Sequence, residues 1–91
     1  MAIIVEFIEP LKKATGTAMV ELDSSYNTFE KVMLELLRLY PKLENEMFDD
    51  GLIHFTCYIL LNGKHLAWPG DKDKVLRDGD NLIFMAFLAG G

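Results

Sequence analysis

The chain has one cysteine, Cys57, so it cannot form an internal disulfide and its fold must be held by packing alone. Cys57 lies in an apolar run, where a thiol serves as a small buried hydrophobe. No His stands two residues away, on its side of a strand, to make it a nucleophile. A basic excess is also missing. The formal charge is -5 and the pI about 4.8, so a polyanion meets a repulsive field and nucleic acid is not expected as a partner. No apolar stretch approaches the roughly 18 residues of a membrane span, and the opening "MAIIVEFIEP" has no basic flank. No membrane partner is expected, and a soluble cytoplasmic protein is.

Internal chemistry is equally scarce. His54 and His65 are eleven residues apart with no HxxxH or CxxC companion, so no metal site is expected and each reads as a lone surface histidine. Asp71, Asp73, Asp78 and Asp80 lack the spacing and distal glutamate of a calcium loop, and Asp78-Gly79-Asp80 reads as a tight turn. Lys64 follows Gly63 without the rest of a phosphate-cradling loop, and no Ser or Cys sits in a nucleophile elbow. A self-contained enzyme is not expected.

Hydrophobic residues make up 51% of the 91, ten of the residues are aromatic, and together they can fill one domain core. "AIIVEFIE" reads as a strand stopped by Pro10; "LKKATG" reads as a polar connection, and "TAMVELD" as the second strand of a hairpin. Phe29, Val32, Met33, Leu36, Leu37 and Tyr40 form a helical ladder, with Asn27 as N-cap, Glu30 three residues on in a capping box, and Pro41 as the stop. "KLENEMFDDG" has room for one further helical turn before the Asp50-Gly51 turn. "IHFTCYILLNGKHLA" reads as a long strand, an Asn62-Gly63 hairpin turn and a short strand, and "NLIFMAFL" as the last strand.

Several strands around one long helix predict an α+β fold, a mixed sheet with the helix on one face. The first hairpin, a crossover helix and then a strand beside the first one make it a β-grasp. Alternation assigns Ile3, Val5, Phe7, Cys57, Ile59, Leu61, Leu82, Phe84 and Ala86 to the covered face. The opposite face carries Ile4, Ile8, Tyr58, Leu60, Ile83, Met85 and Phe87, diluted by Glu6, His54 and Thr56. The irregular segments 42–53 and 66–78 either cover part of it, Ile4 and Ile8 included, or leave an apolar patch larger than a monomer normally exposes. Tyr58, Leu60, Met85, Phe87 and Leu88 are the candidate partner-binding residues.

The sequence then stops on Ala89, Gly90 and Gly91. Residues 1–88 are expected to form the domain and 89–91 a flexible tail. Two glycines have no Cβ and accept nearly any backbone angle, which suits a thin arm that carries a terminal carboxylate into another protein's active site. A carboxylate becomes electrophilic only as an acyl phosphate or acyl adenylate. Gly91 is therefore the candidate reactive residue.

"ILLNGKHL" followed by "VLRDGDNLIFMAFLAGG" is similar to the closing half of the MoaD/ThiS family of ubiquitin-like sulfur-carrier proteins, in which an asparagine turn, a DGD turn and a terminal Gly-Gly recur in that order. The resemblance implies that Gly91 is adenylated by an E1-like adenylating enzyme using ATP, then converted to a thiocarboxylate that donates sulfur. No cofactor is bound by the carrier itself; ATP belongs to the activating partner. The length, the long helix and the hairpin from Tyr58 to Leu66 look most like the molybdopterin synthase small subunit, whose tail enters the large subunit during molybdenum cofactor synthesis. Prolines common in that branch before the tail are replaced here by Met85, Ala86, Phe87 and Leu88. That departure leaves open a sulfur carrier for thiamine or another acceptor, and a modifier joined to protein lysines through Gly91. A β-grasp binding module with an inert tail is the third reading.

Overall fold

Alternating apolar residues build the sheet, and the ladder of the long helix covers one side of it. The computed structural model describes residues 2–87. In order these form β1 (Ala2–Phe7), α1 (Leu11–Thr15), β2 (Met19–Asp23), α2 (Phe29–Leu39), α3 (Lys42–Met47), β3 (Phe48–Asp49), β4 (Leu52–Ile53), β5 (Cys57–Leu61), β6 (Lys64–Leu66) and β7 (Asn81–Ala86). The main sheet runs β2-β1-β7-β5-β6, and β3 with β4 makes a separate two-stranded ribbon. β1 and β7 are parallel at the centre, and the other neighbours are antiparallel. The strand beside β1 is thus the last one, β7, not the one that follows the helices. The α+β β-grasp architecture read from the sequence is the one observed.

The core lies between the sheet and the helices. Ile3, Val5, Leu82 and Phe84 are fully buried, Ile59 nearly so, and Phe7, Cys57, Leu61 and a half-buried Ala86 complete the face assigned by alternation. On α2, Phe29, Val32, Met33 and Leu36 are fully buried, and Leu37 and Tyr40 pack at the margin. At about 1.5–3 kcal/mol for each large apolar side chain buried, this one stripe supplies much of what holds the helix to the sheet.

Thr28, not Asn27, caps α2. Thr28 is extended (φ -137, ψ 156), and its hydroxyl accepts a hydrogen bond from the Lys31 amide at 3.2 Å. This places Glu30 one position too early for a capping box. Asn27 sits outside the helix, its carbonyl accepting from the Leu76 amide at 2.9 Å and its side chain holding the Lys31 ammonium at 3.2 Å. The open amides of Phe29 and Glu30 donate to the carbonyls of Lys74 and Lys72 at 3.0 and 2.9 Å. Trp68 packs edge-on against Phe29 with centroids 5.3 Å apart. The segment 66–78 therefore closes over the start of α2.

Two expected connections carry structure of their own. "LKKATG" contains α1, which buries Leu11, packs against α3 and closes with the Gly16 amide on the Lys12 carbonyl at 2.8 Å. Five residues make too short a helix to stand alone, and packing of Leu11 and Ala14 supplies what propensity cannot. α3 likewise buries Leu43 and Met47. The long strand expected from Ile53 through Leu61 is broken at 54–56, where the chain turns between β4 and β5. The last strand ends at Ala86, with Phe87 just beyond it. Among the described residues, no helix is long and apolar enough to cross a membrane.

Candidate functional site

The two motifs quoted from the closing half of the sequence prove to be one hydrogen-bonded unit. Asn62 (φ 49) and Gly63 (φ 86) make the β5–β6 turn in the left-handed conformation that a two-residue hairpin demands. The Asn62 side chain reaches across the sheet, accepting from the Asn81 amide at 3.0 Å and donating to the Asp80 carboxylate at 3.0 Å, while its own amide donates to the Asn81 carbonyl at 2.9 Å. The other Asp80 oxygen accepts from the Arg77 amide at 2.8 Å, closing the turn around Gly79 (φ 87). The Gly79 amide donates to the Ala2 carbonyl at 2.8 Å, and the Ile4 amide to the Asp80 carbonyl at 2.9 Å. This end of β7 is tied to both neighbours, which fixes its register and the place where its other end leaves the sheet.

β7 leaves beside the open face. Ile4, Leu60, Ile83 and Met85 are half-buried on this side, and Ile8, Met19, Tyr58 and Phe87 are 45%, 50%, 40% and 61% exposed. Register places Met85 next to Tyr58 and Ile83 next to Leu60, so these are direct cross-strand neighbours. Tyr58 packs edge-on against Phe87 with centroids 5.1 Å apart, and against His65 at 5.7 Å. The segments 42–53 and 66–78 pack among the helices and at the sheet margin instead of covering this face, and Ile8 stays in solvent. Strand alternation puts Glu6 and Glu21 on the same side and no lysine or arginine. It is an apolar centre with an acidic border.

Of the candidate partner-binding residues, Tyr58, Leu60, Met85 and Phe87 come together here. Leu88, the tail residues Ala89 and Gly90, and the reactive candidate Gly91 lie outside the described residues. Cys57 is buried, its thiol 3.9 Å from the carbonyls of Glu46 and Met47. Burial, with the Glu46 charge adding to it, pushes the thiol pKa up, so Cys57 is a packed hydrophobe and not a poised nucleophile. Among the described residues, no group of three or more His, Cys, Asp or Glu gathers as a metal site. Asp71 and Asp80 hold backbone amides, Asp71 that of Ala67 at 2.8 Å.

His54 departs from the lone surface histidine read from the sequence. It is half-buried, its Nδ1 is 2.7 Å from the Thr56 hydroxyl, and its ring stacks on Phe55 at 4.8 Å. Phe55 itself is 80% exposed, and Leu52 on the neighbouring ribbon is 71% exposed. Neither was among the candidate residues. Continuing the alternation of β5 backwards puts Phe55 on the buried side with Cys57, and only the break at 54–56 turns it outward.

No protein-family model and no curated protein matches the sequence. Solved structures do match in shape. SAMP1, small archaeal modifier protein 1 of Haloferax volcanii, superposes with a TM-score of 0.82 at 22% identity, covering 100% of both chains. A chain of the BexX/CysO complex of Amycolatopsis orientalis gives 0.77 at 20% identity, over 99% of this chain and 100% of that one. A putative molybdopterin converting factor subunit 1 of Pyrococcus furiosus gives 0.75 at 19%, over 97% and 99%. Identities this low speak for the fold and no further. The β-grasp fold read from the sequence is therefore shared with these structures over 97% or more of the chain.

Proposed function

We propose that this chain is a sulfur carrier whose Gly91 carboxylate is adenylated by an E1-like adenylating enzyme with ATP, converted to a thiocarboxylate, and used to donate sulfur in molybdenum cofactor synthesis. The observation that carries the reading is the open apolar face, which converges on Phe87 only four residues before Gly91. A protein that grips Tyr58, Met85 and Phe87 is placed to receive the tail. The acidic border of the face asks for a partner with an apolar patch edged by lysine or arginine.

The chemistry is a two-step activation. A Gly91 carboxylate oxygen attacks the α-phosphorus of ATP and pyrophosphate leaves; hydrosulfide then attacks the acyl carbon, AMP leaves, and loss of the proton gives the thiocarboxylate. Both steps belong to the partner's active site. The carrier supplies a backbone free of side-chain bulk, and binding must offset the ordering of the two glycines, at about 1–2 kcal/mol per residue. Apolar contact at Met85 and Phe87 is the source of that free energy. Under this reading the chain works as a carrier subunit in the cytoplasm, and the molybdopterin synthase large subunit is the acceptor; the similarity to a putative molybdopterin converting factor subunit supports that branch.

Deleting Gly91 is expected to abolish ATP-dependent adenylation by the cognate E1-like enzyme. Normal activation of the truncated chain would overturn the proposal. A second reading is favoured by the 0.82 superposition on a small archaeal modifier protein: conjugation to protein lysines through Gly91. Mass spectrometry of lysates separates the two. Gly-Gly remnants on lysines of other proteins support conjugation, and exchange of one oxygen for sulfur on the free chain supports sulfur transfer.

A further inference from the structure

A gap in the sheet margin lies beside the tail root. β6 pairs with β5 only from Ile59 to Leu61, so the first residues of β5 have no strand neighbour on that side. The gap is a shallow cleft of about 300 Å³ whose lining includes Ile53, His54, Phe55, Tyr58, His65 and Trp68. No carboxylate, lysine or arginine lines it. Its lining is mostly apolar, with the His54 and His65 imidazoles and the Tyr58 hydroxyl as its polar groups, so an apolar side chain fits it best.

The wall that carries Phe55 is well fixed. The Cys57 amide donates to the His54 carbonyl at 2.9 Å, and the Thr56 amide to His54 Nδ1 at 3.3 Å. The Phe87 amide donates to the Thr56 carbonyl at 2.9 Å, so the turn is hydrogen-bonded to the residue from which the tail departs. An aromatic ring 80% exposed costs the free protein contact with water, and nothing in the core requires it.

We propose that Phe55 and the cleft it walls form a second anchor for the adenylating enzyme that takes the tail, receiving one apolar side chain of that enzyme. This rests on the reading of Gly91 as the reactive end. Gly91 is four residues beyond Phe87, and a fully extended chain covers at most about 14 Å over that stretch. An enzyme enclosing Gly91 must therefore stand that close to Phe87. An ordinary interface of about 800 Å² per partner has a radius of about 16 Å, and centred on Phe87 it takes in both the open face and Phe55, whose neighbour Thr56 is hydrogen-bonded to Phe87. Aromatic side chains, phenylalanine included, are enriched in the core of such interfaces.

The test is the affinity of the full chain for its cognate E1-like adenylating enzyme, measured by calorimetry without ATP. Phe55→Ala is expected to weaken binding about tenfold or more, and Phe55→Leu to restore most of it. The thermal midpoint should stay unchanged, because the ring is exposed. The same ratio is expected in a chain shortened by Gly90 and Gly91, where the tail contributes nothing. Unchanged affinity of Phe55→Ala, in a protein whose adenylation is still abolished by deleting Gly91, overturns this inference and leaves the carrier reading standing. Adenylation that survives deletion of Gly91 overturns both.

Discussion

Replacing Asn62 by alanine removes two side-chain hydrogen bonds, to the Asn81 amide and the Asp80 carboxylate, and puts a Cβ with no helpful polar group at φ 49. Each exposed bond contributes about 0.5–1 kcal/mol net. The left-handed backbone costs alanine about 1 kcal/mol more than asparagine, whose side chain tolerates it. The loss is then about 2–3 kcal/mol, which in a domain of this size lowers the melting temperature by roughly 10–20 °C. Asn62→Gly separates the two causes. It keeps the backbone angle and loses only the bonds, so it should cost about 1 kcal/mol less than Asn62→Ala. Combining Asn62→Ala with Asp80→Ala should be less than additive by about 0.5–1 kcal/mol, since the two share a bond. Urea unfolding followed by circular dichroism reads all of these. Equal stability of the alanine and glycine variants would refute the backbone argument, and full additivity with Asp80→Ala would refute the hydrogen-bonded unit.

Three other outcomes follow from particular residues. Cys57 should resist iodoacetamide at neutral pH and react once urea unfolds the chain, since burial raises its pKa; rapid labelling of the native protein would contradict its place in the core. The Arg38 guanidinium, bonded to Glu35 at 2.7 and 2.8 Å, holds that carboxyl below its ordinary range, so its contribution is present above the unfolded pKa and lost as pH falls through the folded one. Glu35→Gln should therefore flatten the fall in melting temperature between roughly pH 5 and 3, and an unaltered profile would count against the pair. Met85→Asp, at a half-buried position opposite Tyr58, should lower the melting temperature by several degrees without unfolding the chain at about 25 °C, and should cut activation by the E1-like enzyme about tenfold or more, because it places a charge in the centre of the open face. Equal activation of Met85→Asp and the parent chain would remove that face from the partner interface.

Much of the sheet was legible because its period is two. Once Ile3, Val5 and Phe7 face the helix, their neighbours cannot, and the same parity runs through β5 and β7. Asn62-Gly63 was legible as a turn because both residues take left-handed angles that few residues other than asparagine and glycine accept, and Asp78-Gly79 because Gly79 does. What spacing could not give was their mutual hydrogen bonding, which joins positions eighteen and nineteen residues apart. The helix cap was misplaced by one residue, because Asn27 and Thr28 are both good caps and the Leu76 amide decides between them. α1 was missed because its stability comes from where Leu11 is buried, a tertiary fact with no local period. Phe55 was missed for a related reason. A break in a strand reverses which side a residue faces, and the break at 54–56 has neither proline nor glycine to announce it.

The central claim is that Gly91 is the reacting end. The most direct measurement is the intact mass of the full chain after incubation with ATP, a sulfur donor and its cognate E1-like enzyme, followed by fragmentation to locate the change. The account predicts exchange of one oxygen for sulfur, confined to a fragment containing Gly91 and absent without ATP. Sulfur gained at Cys57, or an unmodified carboxylate in a reaction that consumes ATP on a control carrier, would contradict it.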